Sequence, residues 1–501
     1  MKKIVALLLA AIMVMGLAAA ALAQDKVELT AFQYSLENQT TDFNNLWFFK
    51  QIEEKTGVHV TFNQVKDANW TTQLNLMFAS MDMDDMILRN PVDVEDLGVS
   101  QGLLLPLDEY LTEDIMPNYV PRLAINNAGE SIPASDGKSY YIGYLIAQNV
   151  NHTGTWYVNM DLLSQLGLSV PTTTAEVTEV LRAFKTAGLE YPFSASFTPF
   201  GPETLWNQFA SFGVPENHYW LAIDENDKVQ FTGAMNGWKD CVAWLHDLYA
   251  EGLMDPESLT QDSNLWANKV NAGQVGYFCY LRLINTALTP ETYAHFKSML
   301  PPVAEGYKAS VSSILEIPDP GAYLTSTNSD PVSSLKWLDA QLETETMMVA
   351  ANGKMGEQIQ LNADGKYEVI NVPENNGLYD IVPVTMGQFF APGPYYTEIY
   401  QMAPHRVERY QDSLAYAEAG VLEPKSFNYL TKLCKLSNDD AVEAANIKTE
   451  LDKFMEESVV EFIKNGITDE SYAKFVETAN SIGADRYAAL YQTAYDAYLA
   501  K

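Results

Sequence analysis

Residues 47–65 read WFFKQIEEKTGVHVTFNQV: a helical pattern that stops at Gly57, as helices do at a left-handed glycine cap, and then an alternating strand. Toward the N-terminus, VELTAFQY (27–34) alternates as another strand. Toward the C-terminus, TTQLNLMFASMDMDDMIL (71–88) reads as a helix followed by the apolar strand Met86 to Leu88. Strands alternating with helices predict a parallel α/β sheet. Ligands of such sheets sit at the carboxyl ends of the strands, which puts Tyr34, and Arg89 with Asn90, on the rim of a crevice.

The pattern changes further along. SYYIGYLIAQNVNHTGTWYVN (139–159) is strand-like for longer than one strand runs, as expected of a chain passing from one lobe into another. In the next stretch Leu162, Leu163 and Leu166 pack one helix, Gly167 ends it, and Pro171 bars its continuation. Thr173 and Glu176 are spaced as a capping box for the helix that follows. WKDCVAWLHDLYAEG (238–252) keeps helical spacing through Val242, Leu245 and Leu248. From 320 to about 395 short strands and turns dominate, with ADGK (363–366) as a hairpin turn. The last hundred residues are helical, one helix starting at Asn438-Asp439-Asp440 and stopping at Gly466, another starting at Thr468 and breaking at Gly483.

The chain opens MKKIVALLLAAIMVMGLAAAALAQD, in which Lys2 and Lys3 precede an apolar run that ends in Ala21-Leu22-Ala23. This predicts a secretory signal peptide over 1–23, and an exported, periplasmic or surface-associated protein with no lipobox cysteine. At roughly 150 residues per domain, 501 residues predict two or three domains. Against 65 acidic residues stand 31 Lys and Arg, a net charge of -34 that repels phosphate backbones and excludes nucleic acid as a partner. Cys241, Cys279 and Cys434 fit neither a disulfide framework nor a zinc pattern; they read as small buried residues, with one bridge left open. The 28 Tyr, 21 Phe and 9 Trp exceed the needs of a core, and the surplus suits sugar rings, whose C–H faces stack on aromatic rings.

Catalytic motifs are matched only in part. Gly98-Val99-Ser100-Gln101-Gly102 has the spelling of a nucleophile elbow, but the strand that must precede it is an acidic segment. Six histidines never fall at H-x-x-x-H spacing, and neither a P-loop nor G-x-G-x-x-G is present. No catalytic residue, metal or cofactor is therefore expected.

Five blocks, in order, resemble the family 1 extracellular solute-binding proteins of carbohydrate ABC importers, in the large oligosaccharide-binding subgroup. They are LNLMFASMDMDDMIL (74–88), GLLLPLDEYL (102–111), WYVNMDLLSQLGLSVPTTTAEVTEVLRAFK (156–185), WLHDLYAEGLMDPESLTQD (244–262) and VSSLKWLDAQL (332–342). The resemblance implies a two-lobe, periplasmic-binding-protein-like (type II) α/β fold with hinge crossings and a helical C-terminal region. Its N-terminal lobe would comprise 24–148 and 318–390, and its C-terminal lobe 149–317 and 391–501. It implies a monomeric, non-catalytic receptor that binds an oligosaccharide between the lobes and delivers it to permease membrane subunits. The family's calcium loop is replaced here by FKTAGLEYPFS (184–194), which offers one carboxylate, Glu190, where a hard cation needs about six to eight oxygens.

The ligand-binding candidates are Tyr34, Trp47, Arg89, Trp206, Trp220, Tyr280, Arg282, Tyr395 and Tyr396. Aromatic rings would stack on pyranose faces, and arginines would donate paired bonds to hydroxyls or a uronate. Two other readings stand beside this one: a secreted glycosidase or lyase, and the same fold with a peptide or sensory ligand.

Overall fold

The computed structural model describes residues 26–500 apart from 36–40, 145–151, 153, 198–203, 216–218, 281–287, 314–318, 372–399, 402–403, 424, 426–429 and 432. The chain divides into two compact units, Met1–Ala147 with Ile317–Gln401 and Gln148–Glu316 with Met402–Lys501.

Unit one is built on the stretch from which the fold was read. Strand β1 (Val27–Ser35) pairs in parallel with β2 (Val58–Lys66) from Val27 opposite Val58 to Ser35 opposite Lys66. Helix α1 (Trp47–Thr56) lies between them in sequence, buries Phe48, Phe49 and Ile52, and ends at Gly57 with φ +72°. Helix α2 (Trp70–Ser80) leads to β3 (Met86–Leu88), parallel to β1 on its other side. The strand Asp319–Leu324 then pairs antiparallel with β3 and with β4 (Ile142–Tyr144), completing five strands. A late segment is thereby stitched into an early sheet. Asp85 reinforces the seam: it accepts hydrogen bonds from the backbone N–H of Thr30 (2.8 Å) and of Ser329 (2.7 Å).

The 320–395 region differs from its reading as strands and turns. It holds the helices Pro331–Ala340 and Thr344–Asn352. The first is capped by the Asp330 side chain on the Ser333 N–H, and buries Leu335, Trp337 and Leu338, with Trp337 stacked 5.6 Å from Phe49. Asp330 at the cap and Pro331 in the first turn start this helix, and the packing of Trp337 on Phe49 of α1 adds burial that stabilises it. Ala363 to Lys366 do form the turn of a hairpin, between Ile359–Leu361 and Tyr367–Val369.

Unit two has its own four-stranded sheet. β5 (Thr155–Asn159) runs into α3 (Met160–Leu166), which ends on Gly167 with φ +67°. α4 (Thr174–Thr186) carries the capping box, with both Thr173 and Glu176 bonds formed, and leads to β6 (Tyr191–Phe193). After the hairpin β7 (Leu221–Ile223) and β8 (Val229–Phe231) come α5 (Asn236–Ala250), α6 (Ser263–Asn271), β9 (Val275–Tyr280) and β10 (Phe296–Met299). The sheet order is β10-β5-β9-β6, with β6 and β9 parallel.

The helix Pro404–Glu418 is followed by α7 (Asn438–Asn465), α8 (Asp469–Ile482) and α9 (Ala484–Leu499). Ser437 caps α7, Thr468 caps α8, and Gly483 separates α8 from α9. Trp238 of α5 lies flat on Phe475 of α8, 4.5 Å between centroids at 9°, and so ties the terminal helices into the core. Gly237 lets the start of α5 lie against the backbone at Phe212: a Cβ there would sit 1.9 Å from the Phe212 carbonyl oxygen. All three cysteines are buried and outside any disulfide, and burial pushes the Cys241 and Cys279 thiols well above their ordinary range. No helix of the described residues is long and apolar enough to cross a membrane.

The turn after α5 carries a buried ion pair. Lys269 Nζ lies 2.6 Å from Asp255 Oδ2, and their side chains are 8% and 0% exposed. Ser194 and Gln261 also donate to that carboxylate, at 2.8 and 3.1 Å. Burial opposes the charge on Lys269, but the hydrogen bonds to Asp255 and Glu257 outweigh it and hold the ammonium above its ordinary value of 10.5. The resulting stability is present below pH 10.5 and is lost as pH rises through the raised value.

Lys269→Met leaves a carboxylate buried without its cation, and is expected to cost about 3–5 kcal/mol in urea unfolding of unit two. Thr173→Ala removes one cap and is expected to cost only about 1 kcal/mol, read from the same transition.

Candidate functional site

Parallel pairing of β1 with β2 and β3 brings three carboxyl ends to one edge of unit one. Tyr34 and Ser35 end β1, Lys66 ends β2, and Arg89 follows β3. The opposition of Gln33 and Leu88 makes Tyr34 and Arg89 neighbours at this edge. Tyr34 is half-buried and meets Trp70 edge-on, 5.5 Å between centroids at 77°. Trp70 opens α2, is buried, and also packs on Phe32 at 4.9 Å. Lys66 Nζ donates to Ser35 Oγ at 3.2 Å.

Arg89 has φ +82°, a left-handed conformation that costs a side-chain-bearing residue energy and concentrates at functional positions. Its N–H donates to the Gly321 carbonyl at 2.7 Å, so the inserted strand Asp319–Leu324 fixes the turn. Trp47 opens α1, half-buried, with Lys354 Nζ 5.4 Å from its ring centroid. An edge with an aromatic face, a hydroxyl, an ammonium and a guanidinium can stack on a ring and donate to oxygens.

In unit two the carboxyl ends of β6 and β9 also share an edge. Tyr280 ends β9, half-buried, with its ring stacked on Trp266 of α6 at 5.0 Å and 24°. Trp266 is held by its own donor, which reaches the Ser194 carbonyl at 3.3 Å. The strand end, the stacked ring and the buried ion pair therefore form one rigid block.

Trp206 and Trp220 come together, but inside the fold rather than on a loop surface. Trp206 sits in the helical segment Leu205–Phe212 and is 3% exposed; Trp220 precedes β7 and is 5% exposed. Their rings are 5.0 Å apart at 66°. Trp220 takes φ +56° and donates from Nε1 to Asp452 Oδ1 at 2.7 Å. With Phe209, Val214, Thr232 and Trp238 they wall a cavity of about 20 Å³. The buried Nε1 of Trp206 has no hydrogen-bond partner.

Arg282, Tyr395 and Tyr396 lie outside the described residues. Three supporting residues went unnoticed in the sequence: Trp70, Trp266 and Lys66. The usable signal was positional, since Trp70 opens the helix after a strand whose last residue is Lys66. Trp266 gave no such signal, because a tryptophan inside an amphipathic helix reads as core.

Ser100 of the elbow-like pentapeptide lies at the end of the helical turn Glu95–Ser100 and donates its hydroxyl to the Glu95 carbonyl. The strand-turn-helix that exposes a nucleophile is not what surrounds it. Where calcium loops occur in the family, Glu190 accepts from Gln274 Nε2 at 2.7 Å. Among the described residues no group of three or more His, Cys, Asp or Glu is placed to hold a metal ion.

Comparison with known proteins adds the family. The pattern of the bacterial extracellular solute-binding proteins matches residues 26–281. The fructooligosaccharide ABC transporter substrate-binding protein FusA of Streptococcus pneumoniae is 24% identical over 509 residues, covering 95% of this chain and 91% of that protein. The structure of FusA in complex with kestose superposes with a TM-score of 0.75 at 21% identity, covering 94% of this chain and 99% of that one. An HMO-binding, ABC-transporter-associated solute-binding protein from Bifidobacterium longum infantis superposes with a TM-score of 0.80 at 17% identity, covering 95% and 99%. These likenesses give the fold as the two-lobe, type II periplasmic-binding-protein-like α/β fold. With the family pattern spanning more than half of the sequence, the chain belongs to the bacterial extracellular solute-binding proteins.

Proposed function

We propose that this protein is the extracytoplasmic substrate-binding component of an ABC importer, that its ligand is an oligosaccharide, and that it hands the ligand to a membrane permease without chemical change. The observation that carries the reading is the alignment with a fructooligosaccharide-binding relative along 95% of this chain. The chemistry of the two sheet edges supports it. Tyr34 against Trp70 and Tyr280 against Trp266 are aromatic faces braced from behind, so their rings keep a fixed orientation and lose little entropy on stacking against a sugar. Lys66 and Arg89 add donors suited to hydroxyl oxygens. Trp47 and, outside the described residues, Arg282, Tyr395 and Tyr396 complete the proposed contacts.

The protein acts as a monomer after removal of residues 1–23, on the outer side of the cytoplasmic membrane. A high negative charge favours uncharged sugars over anionic ones in long-range encounter.

A panel of oligosaccharides and peptides read by thermal shift tests the assignment. A bound oligosaccharide at 100 times its dissociation constant stabilises by about 2.7 kcal/mol. Peptides that shift the melt while sugars do not would sink the carbohydrate assignment, and release of shorter sugars from the best binder would make the protein an enzyme. Within the panel, Tyr34→Ala is expected to weaken the best sugar about tenfold in calorimetric titration, with the melting temperature of the free protein little changed.

A further inference from the structure

The cavity beside Trp206 combines two properties that do not belong together in a finished core. Among the described residues its lining is apolar and aromatic, from Trp206, Phe209, Val214, Pro215, Trp220 and Trp238, with Thr232 adding a hydroxyl. Yet the Trp206 Nε1 donor is buried and unpartnered, whereas the donor of the adjoining Trp220 is satisfied by Asp452. A buried N–H without an acceptor costs about 1–3 kcal/mol, so one residue of the cavity wall is short of an acceptor.

The cavity also sits where the backbone is held under strain. Trp220 keeps φ +56°, and the Thr232 N–H donates to the Trp220 carbonyl at 2.8 Å, which pins the two walls together. The opposite wall is equally fixed, because Trp238 is clamped on Phe475. The cavity is therefore maintained by the fold rather than left over from loose packing, in which neighbouring side chains would relax inward.

Size and chemistry restrict what fits. About 20 Å³ exceeds the roughly 10–15 Å³ that one water needs, and leaves room for a group of two or three heavy atoms. The occupant must offer one acceptor to an indole N–H and an apolar surface to tryptophan and valine. A sugar hydroxyl meets the first demand and fails the second. An acetyl substituent meets both: its carbonyl accepts from Trp206 Nε1 and its methyl fills the aromatic wall.

We infer that this cavity is a subsite for the acetyl group of an acetylated oligosaccharide, with Trp206 as the donor that selects it. The inference rests on the oligosaccharide reading and names the substrate class within it.

Matched pairs of ligands test it by calorimetric titration on the intact protein. The pairs are cellotriose with chitotriose, xylotetraose with its mono-O-acetyl derivative, and kestose with its mono-O-acetyl derivative. In the pairs that bind, the acetylated member is expected to bind at least tenfold tighter, and Trp206→Phe, which keeps the ring and deletes the donor, is expected to bring that ratio close to one. Equal binding within every pair that binds overturns the acetyl subsite and leaves the oligosaccharide reading standing. A preference that survives Trp206→Phe also overturns it, since the selection then arises elsewhere. If no member of any pair binds and no sugar of the wider panel does, the oligosaccharide reading itself falls, and the subsite with it.

Discussion

The Asp255–Lys269 pair is the constraint on which the proposed binding edge of unit two depends. Its carboxylate is reached from three directions: Lys269 on α6, Gln261 at the end of the turn, and Ser194 just past β6. The same turn returns backbone bonds to the sheet, from the Asp255 N–H to the Phe193 carbonyl and from the Phe197 N–H to the Gln261 carbonyl. Ser196 then accepts from the Leu205 N–H, and so starts the segment that carries Trp206. Both the Trp266–Tyr280 stack and the tryptophan cavity are thus positioned from one buried charge. A hydrophobic pair of similar volume could be as stable. What it could not do is hold three chain segments by directed bonds to a single carboxylate.

Unit one gathers its edge by strand pairing instead. Parallel pairing gathers the ends of β1, β2 and β3, and the antiparallel strand Asp319–Leu324 locks the last of them through the Arg89 N–H. Aromatic side chains do in both units what lids and metals do elsewhere: they stiffen the group proposed to meet the ligand. Tyr34 leans on Trp70 and Tyr280 on Trp266, each support being buried and each outer ring half-buried.

Local signals carried most of the fold. Gly57 and Gly167 in left-handed caps, the Thr173–Glu176 box and Thr468 before α8 are short-range devices, and each stands where its spelling put it. The reading of 320–395 as strands and turns missed the helix Thr344–Asn352, which has no side-chain cap, whereas Pro331–Ala340 falls on VSSLKWLDAQL, a block that resembles a helix of the family, and starts from the local signal of Asp330 and Pro331. The site was less legible for a related reason. Tyr34 and Arg89 follow from strand ends, a topological rule, but Trp206 and Trp220 were read as surface aromatics when their neighbours in space bury them. Cross-chain partners such as Asp452 for Trp220, 232 positions apart, leave no trace in either stretch alone.

The division of the chain has a consequence for how the protein is made. Each unit is completed only by a late segment, Ile317–Gln401 for the first and Met402–Lys501 for the second. The interior strand Asp319–Leu324 cannot join its sheet until some three hundred residues have preceded it, and α5 lacks its cover from Phe475 until the C-terminal helices arrive. Contacts so distant in sequence form slowly, because the long intervening loop must close before they contribute. For a chain headed out of the cytoplasm such lateness is an advantage. Until the late segments arrive, unit one lacks a complete sheet and unit two a complete core to resist threading through a membrane.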